Sequence, residues 1–510
     1  MHEGIKRNGI TVLLLMPIVF IYCLHFFQHD ESLKPTGFIT AEHATYMVYA
    51  KQYSTGEASL FFRYPFQPDA ASPRIFFQPQ TLLLGYLWKW TNFSPGLLLT
   101  LFGILFAFLA IRTAYDIIQI VCRKYSGVMT LLFIWGGGVM TFVGAAFHLL
   151  TRGSGVDVWS DIFKFDPGLG WWCLYFGRAL IYPLEAYYHF IFLLAILFVL
   201  KNKYQLAALC VVVLTFSHSY TSVELALLLL VWILLEKFYF TSEIRIHAGL
   251  HLLLASCIFT FIFYAILTVM PLYRQLFRMV SLDWGYKAWN FIPAYAYVWL
   301  LSAYVVRKPD LFQKAIATPV QRLFLTWGIV AFLLSVHNFA IHPIQPLHFT
   351  RGYVYAGFFM FALVNLSEHI LSLLGKVWIC IVIAFVFCLD NIVWFGSKYP
   401  KNCIGAYLST EDVELVQYFN NQETKYLIDN DAKDVDIALF LQLYTKQVTT
   451  LPHEFLTIRT SAGADDEKMR IQYLREYKLP ILKLYRNVDS GFRKPPVFRN
   501  TKYTVIAADN

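Results

Sequence analysis

"MHEGIKRNGITVLLLMPIVFIYCLHFFQHDES", residues 1–32, sets the reading of the whole chain. Lys6 and Arg7 precede an apolar run at 10–26, close to the roughly 20 residues that cross a bilayer. Aromatic and polar residues, "FFQHDES", follow the run with no small-residue cleavage site. The segment is therefore expected to remain as a first helix rather than be removed as a signal peptide. Taking Lys6 and Arg7 as cytoplasmic fixes the orientation of everything after them.

Composition extends that reading along the chain. Of 510 residues, 57% are hydrophobic and only 15% charged, against about 25% charged in a soluble domain. The net charge of +9 comes from basic residues in short loops between apolar runs. That is where membrane topology places them, so membrane lipid rather than nucleic acid is the expected partner. Spans read at 10–26, 96–120, 127–149, 184–200, 204–217, 220–236, 248–271, 290–306, 322–341, 352–373 and 377–396. Basic residues at 123–124, 201–203, 237 and 245, 307–314 and 376 fall in the inner loops of this scheme. The expected fold is an all-α polytopic membrane protein of about 11 transmembrane helices, with the C-terminus outside. Between Lys203 and Lys237, the polar "SHSYTSVE" at 217–224 splits two short apolar runs, so two helices meeting at a polar turn are expected. The cysteines lie mostly in apolar runs without metal spacing; only Cys173 and Cys403 lie near the expected outer face, where one disulfide could form.

Two outer regions stand out. The first, 27–95, holds "RIFFQPQTLLLGYLWKW" at 74–90, punctuated by prolines, and is expected to form short surface helices. The second is the polar tail, where "STEDVELVQYFNNQ" at 409–422 reads as a capped helix and "KYLIDN" and "KYTVIAADN" as strands. The chain divides accordingly into a transmembrane domain, 1–396, and a small α/β extracytoplasmic domain, 397–510.

Charged residues are costly in lipid, so those at the outer boundary are candidates for chemistry. In "GFITAEHATYMVYAKQYSTGE", residues 37–57, a helix starting at Glu42 puts Tyr46 and Ala50 on nearly one face and ends near Gly56. A carboxylate partly buried at the membrane boundary becomes a better base. In "HPIQPLHFTRGY", residues 342–353, Arg351 can fork onto phosphate oxygens, with His348 three residues before it. Arg178, in "WWCLYFGRALIYP", is a second candidate cation. His218, Tyr220 and Glu224 occupy the split hairpin, where they either face a cavity or hydrogen-bond within the bundle. Arg112 and Asp116 form an i,i+4 pair. No cofactor is expected. Asp157, Asp161 and Asp166 could hold a divalent ion with Glu42, though their spacing matches no metal-binding loop.

The pattern Glu42, Tyr46, Ala50, "GE" at 56–57 and "FFQPQ" at 76–80 resembles the first outer loop of GT-C glycosyltransferases. Protein O-mannosyltransferases and the lipid A aminoarabinose transferase are of this type. The resemblance implies a GT-C-like fold and sugar transfer from a polyprenyl-phosphate-linked donor to a protein, lipid or glycan acceptor, with inversion. It implies a multi-pass enzyme of the cytoplasmic (inner) membrane, acting at its outer face. Glu42 then takes the position of the catalytic acidic residue, where the family more often has Asp. Asp30 and Glu31 are substitutes for that role. Gln78 stands where some members have a Lys that contacts the donor phosphate, so phosphate contacts are expected from Arg351, His348 and Arg178. Tyr46, His218 and Tyr220 would support the site. Rival expectations are a transporter or flippase, and a polysaccharide ligase or polymerase acting on a lipid-linked saccharide. Internal repeats, the mark of many transporters, are not seen in the sequence.

Overall fold

The structure is a computed structural model that describes residues 2–63, 65, 74–151, 158–168, 170, 172–240, 248–270, 285, 287–340, 344–373, 377–430, 435–449, 480–486 and 495–507. The chain forms two compact units. The first comprises Met1–Phe20, Gly103–Leu267 and Leu282–Pro400; the second draws mainly on Ile21–Phe102 and Lys401–Asn510.

Long apolar helices dominate. Helix α1 (His2–Phe27), α4 (Pro95–Val121), α9 (Pro183–Leu200) and α12 (Ala248–Val269) contain four segments long and apolar enough to cross a membrane. Among the described residues the number rises to six if each of two bent pairs is one span. This is the composition of a helical membrane protein.

Both bends have identifiable causes. The run expected as one span at 127–149 is two helices, α5 (Ser126–Trp135) and α6 (Met140–Leu150), bent by 46°. Gly136, Gly137 and Gly138 break the hydrogen-bond ladder between them. The Asp390 carboxylate replaces part of it, accepting from the backbone N–H of Gly138 (3.0 Å), Met140 (3.2 Å) and Thr141 (2.8 Å). A Cβ on Gly138 would lie 2.1 Å from the Pro293 carbonyl oxygen, so only glycine fits.

The other bent pair follows α13 (Ala288–Arg307). It joins α14 (Pro309–Ala315) to α15 (Pro319–Ser335) at 98°. Thr318 and Gln321 form a capping box and Pro319 occupies the first turn, so α15 starts by design of its own sequence. Arg322 then forks onto Glu236 at 2.5 and 2.6 Å. The expected split hairpin is present as α10 (Tyr204–Ser217) and α11 (Ser219–Leu234), with His218 extended between them. Helices α16 (Tyr353–Leu373) and α17 (Val377–Ser397) complete the long elements. Asp116 pairs with Arg7 at 3.2 Å rather than with Arg112 as its spacing suggested.

In the second unit, β1 (Leu33–Pro35) pairs antiparallel with β2 (Tyr407–Ser409), which joins the first expected outer region to the tail. A five-stranded sheet has the order β4-β3-β5-β7-β6, where β3 is Leu427–Asn430, β4 Val448–Thr449, β5 Ile481–Arg486, β6 Phe498–Arg499 and β7 Tyr503–Ala507. Strand β3 runs parallel to β4 and β5; β7 runs antiparallel to β5 and β6. Helices α18 (Thr410–Asn420) and α19 (Val435–Tyr444) contribute Leu415, Phe419 and Leu441 to a core with Ile428, Leu484 and Val505. Each such buried side chain contributes about 1.5–3 kcal/mol. As expected from "STEDVEL", Ser409 and Asp412 form a capping box at the start of α18.

Helices α2 (Ala44–Ser54) and α3 (Pro79–Thr91) pack closely in the same unit. A Cβ on Gly85 would come within 2.5 Å of both the Ala50 carbonyl oxygen and Tyr53 Cβ. The Lys51 ammonium donates to carbonyls at the end of α19, Gln442 (2.7 Å) and Thr445. Burial lowers its pKa to about 8, more than the nearby Glu57 carboxylate offsets.

Candidate functional site

The loop between α15 and α16 builds a concentrated polar site in the first unit. Gln345 has a left-handed backbone, and Pro346–Phe349 form a single tight turn. Gly352 is held at φ +81°, where a Cβ would lie 2.6 Å from Phe176 Cα. Glycine is therefore required, and it fixes the residue before it, Arg351.

The Arg351 guanidinium is only 9% exposed. One terminal nitrogen meets the Glu185 carboxylate and, at 3.0 Å, His218 Nε2. The other meets His348 Nδ1. Both imidazoles present ring nitrogens to a group that only donates, so each contacting nitrogen carries its lone pair toward Arg351. Trp172 lies beside the guanidinium, with its ring centroid 5.7 Å away. His348 is sandwiched by aromatics, stacked on Tyr220 at 4.5 Å and edge-on to Trp172 at 5.0 Å. The Tyr220 hydroxyl donates to Gln345 Oε1, which returns the hairpin to the loop. His218 stacks on Tyr188 at 4.4 Å. Beneath them, His189 places its ring nitrogens 2.7 Å from the carbonyl oxygens of Glu185 and Arg351.

Three separate stretches of sequence thus hold one guanidinium in aromatic walls. An arginine can bind phosphate or carboxylate through its N–H donors, and in the structure one Glu185 oxygen takes a single such contact. An apolar groove of about 280 Å³ runs between α11 and α15. Leu227 and Val231 line it from α11; Val330, Leu333 and Leu334 line it from α15. Leu227 is seven residues past Tyr220, about 10 Å along the helix axis.

Arg178 has different surroundings. Its side chain, 1% exposed, contacts Asp166 at 2.6 Å, Asn391 at 2.9 Å and the Asp390 carbonyl at 3.0 Å. The Tyr175 hydroxyl donates to Asp390 at 2.6 Å. These bonds tie α17 to the break between α5 and α6, and leave the Arg178 guanidinium turned toward protein on every measured contact.

Glu42, Asp30, Glu31, Tyr46 and Gln78 all belong to the second unit. Glu42 is exposed and sits in the short turn Ala41–His43 just before α2, so it is not the half-buried carboxylate expected at the membrane boundary. Tyr46 lies on α2 in edge contact with Tyr49 at 6.1 Å. Helix α2 ends at Thr55, and Gly56 follows at φ +79°, where the sequence placed the stop. Asp30 exchanges hydrogen bonds with the Asn402 side chain, and Glu31 is exposed. Gln78 is the extended residue ahead of α3; its carbonyl accepts from Leu82 N–H and the Thr81 hydroxyl.

Among the described residues no three His, Cys, Asp or Glu side chains converge as metal ligands. Asp161 contacts His148 at 2.9 Å and Asp166 contacts Arg178; Asp157 lies outside the described residues. No disulfide joins Cys173 and Cys403, so the one considered for them is not formed.

Sequence reasoning brought Arg351, His348, His218 and Tyr220 forward but missed Glu185, His189, Trp172 and Gln345. The signal for the first two was present: an acid and a histidine four residues apart inside an otherwise apolar run, "PLEAYYHFIFLLAILFVL". Protein-family models give no match to the chain, and neither do curated proteins.

Proposed function

We propose that the chain is a membrane glycosyltransferase that moves a sugar from a polyprenyl-phosphate donor to an acceptor at the outer face of a cytoplasmic membrane. In this reading the chain crosses the membrane eleven times, and the segment after the last span lies outside it. Arg351 receives the donor phosphate, displacing Glu185 from the guanidinium, with His348 and His218 holding the guanidinium in place. Trp172 and Tyr220 supply aromatic faces beside it. The apolar groove between α11 and α15 accepts part of the prenyl chain.

Phosphate is a good leaving group once a cation stabilises it, so no strong general acid is required. The acceptor hydroxyl loses its proton to a base as its oxygen attacks the anomeric carbon, and Glu42, the acid the resemblance points to, is the residue to test for that role. The C–O bond to phosphate breaks and the configuration inverts. Arg178 serves as a structural tie.

One observation carries this reading: a nearly buried arginine held by a carboxylate and two imidazoles among aromatic rings. The test is sugar transfer by the purified chain in liposomes containing a polyprenyl-phosphate sugar, with a hydroxyl acceptor supplied. Glu42→Gln is expected to abolish transfer while expression and folding persist. Full activity in that variant removes Glu42 from the base role.

The helix breaks favour a second reading, a flippase for a lipid-linked saccharide, because discontinuous helices are common in transporters. A flippase moves the intact lipid-linked saccharide between leaflets and releases no free polyprenyl phosphate. A transferase releases it in step with product.

A further inference from the structure

Helix α3 is inside out for a helix that faces water. Its sequence, PQTLLLGYLWKWT, carries a single charge in 13 residues, Lys89. The buried residues are Gln80, Thr81, Leu84 and Gly85, with Gly85 set against Ala50 and Tyr53 of α2. The opposite stripe holds Leu83, Tyr86 and Trp90 at i, i+3 and i+7, and these are 41%, 37% and 74% exposed. Water would favour the reverse, since burying polar side chains and exposing an indole both cost free energy. Tyr86 and Trp90 lie one turn apart with ring centroids separated by 6.0 Å, so the stripe is aromatic at its C-terminal end.

The residues ahead of α3 repeat the pattern. Phe62 and Phe76 form a β-bridge, and Phe62 is buried beside Tyr53. Its neighbour Phe61 points the other way, is exposed, and meets Phe77 edge-on at 6.0 Å.

The path of the chain shows what covers this stripe. Asn92, in a left-handed conformation, ends α3. Three residues later, at Pro95, α4 begins, and α4 is long and apolar enough to cross a membrane. An extended chain reaches about 3.5 Å per residue, so the end of α3 lies within about 14 Å of the start of α4. Phe93 in the connection and Leu97 and Leu101 on α4 are also exposed, so outward apolar residues continue from α3 into that helix. Tryptophan and tyrosine favour the level of the lipid headgroups, and a lysine stem lets its ammonium reach the phosphates from there.

We propose that α3 lies in the headgroup layer where α4 enters the bilayer, with Leu83, Tyr86 and Trp90 turned toward the acyl chains and Lys89 toward lipid phosphates. The partner of this face is phospholipid. Because Gly85 seats α3 on α2, the bilayer surface also fixes the height of α2 and of the Ala41–His43 turn that carries Glu42. This docking does not depend on the transferase reading.

The test uses the full chain in nanodiscs of phosphatidylethanolamine and phosphatidylglycerol, with the native cysteines replaced by alanine. Nitroxides are attached through Leu83→Cys, Tyr86→Cys and Trp90→Cys, and through Gln417→Cys at an exposed position of α18 as the aqueous reference. Collision with oxygen, which concentrates among acyl chains, is expected to exceed collision with a water-soluble nickel chelate at positions 83, 86 and 90. At position 417 the order is expected to reverse. Nickel collision at the three α3 positions equal to that at 417 places the stripe in water and overturns the proposal. Low collision with both reagents means that protein covers it, and overturns the proposal as well. Should the cysteine-free chain not fold, tryptophan fluorescence of the otherwise native chain decides. The difference between wild type and Trp90→Phe isolates the Trp90 emission, which lipid brominated near the headgroup is expected to quench; emission unaffected by that lipid overturns the proposal.

Discussion

Arg351 and His348 were legible as a pair because two prolines and a glycine bracket them in a cationic loop. Glu185 stood out as an acid in an apolar run, but its role as their partner was not legible, since an acid in the first turn of a helix is ordinary on dipole grounds. Its ion pair with Arg351 depends on long-range packing that no local pattern encodes. Glu42 shows the converse. Its motif was conspicuous in sequence, but spacing could not tell an exposed carboxylate from a half-buried one. Asp412 was legible in role, and its chemistry makes a clear prediction. Burial pushes its carboxyl up, but Lys502, the Ser409 N–H and the Tyr503 hydroxyl outweigh burial and hold it below the ordinary value. Its contribution is thus complete above an ordinary Asp pKa of about 3.9 and disappears as pH falls through the lower folded value. Asp412→Asn is expected to destabilise α18 by about 1–2 kcal/mol at neutral pH and to flatten this acid dependence. Hydrogen exchange across residues 410–420 measures both; unchanged protection would contradict it.

At the scale of elements, hydropathy found the helices but not their breaks. The split at His218 was visible because polar residues interrupt the apolar run. The break at Gly136–Gly138 was not, because three glycines barely change hydropathy and the group that satisfies the freed N–H donors, Asp390, is distant in sequence. Asp390 also accepts from Tyr175 and is 1% exposed, so it holds α17, α5 and α6 together. Asp390→Ala leaves these donors without an acceptor and is expected to cost about 3–5 kcal/mol. Thermal unfolding of the detergent-solubilised chain checks this, and a midpoint equal to wild type would remove Asp390 from its bridging role.

For the whole molecule, the sequence conveyed a helical membrane chain with a polar α/β tail more readily than its division. Residues 21–102 group with the tail because Leu33–Pro35 pair with Tyr407–Ser409, a three-residue ladder too short to leave a strand signal. The orientation proposed for the chain makes a direct prediction. Cysteines introduced at the exposed Glu42 and at exposed Lys401 should react with an impermeant maleimide added to intact cells, and one at Lys6 should not. Labelling of position 6 without position 42 would invert the topology.

The central claim, that Arg351 receives a lipid-borne phosphate, is tested most directly by photocrosslinking. A prenyl phosphodiester carrying a diazirine in its chain is irradiated with the membrane-embedded protein and the adducts mapped by mass spectrometry. Adducts are expected on α11 and α15 around Leu227, Val231 and Val330, and Arg351→Met should remove most of them. Adducts confined to other helices, or unchanged labelling in Arg351→Met, would contradict the account.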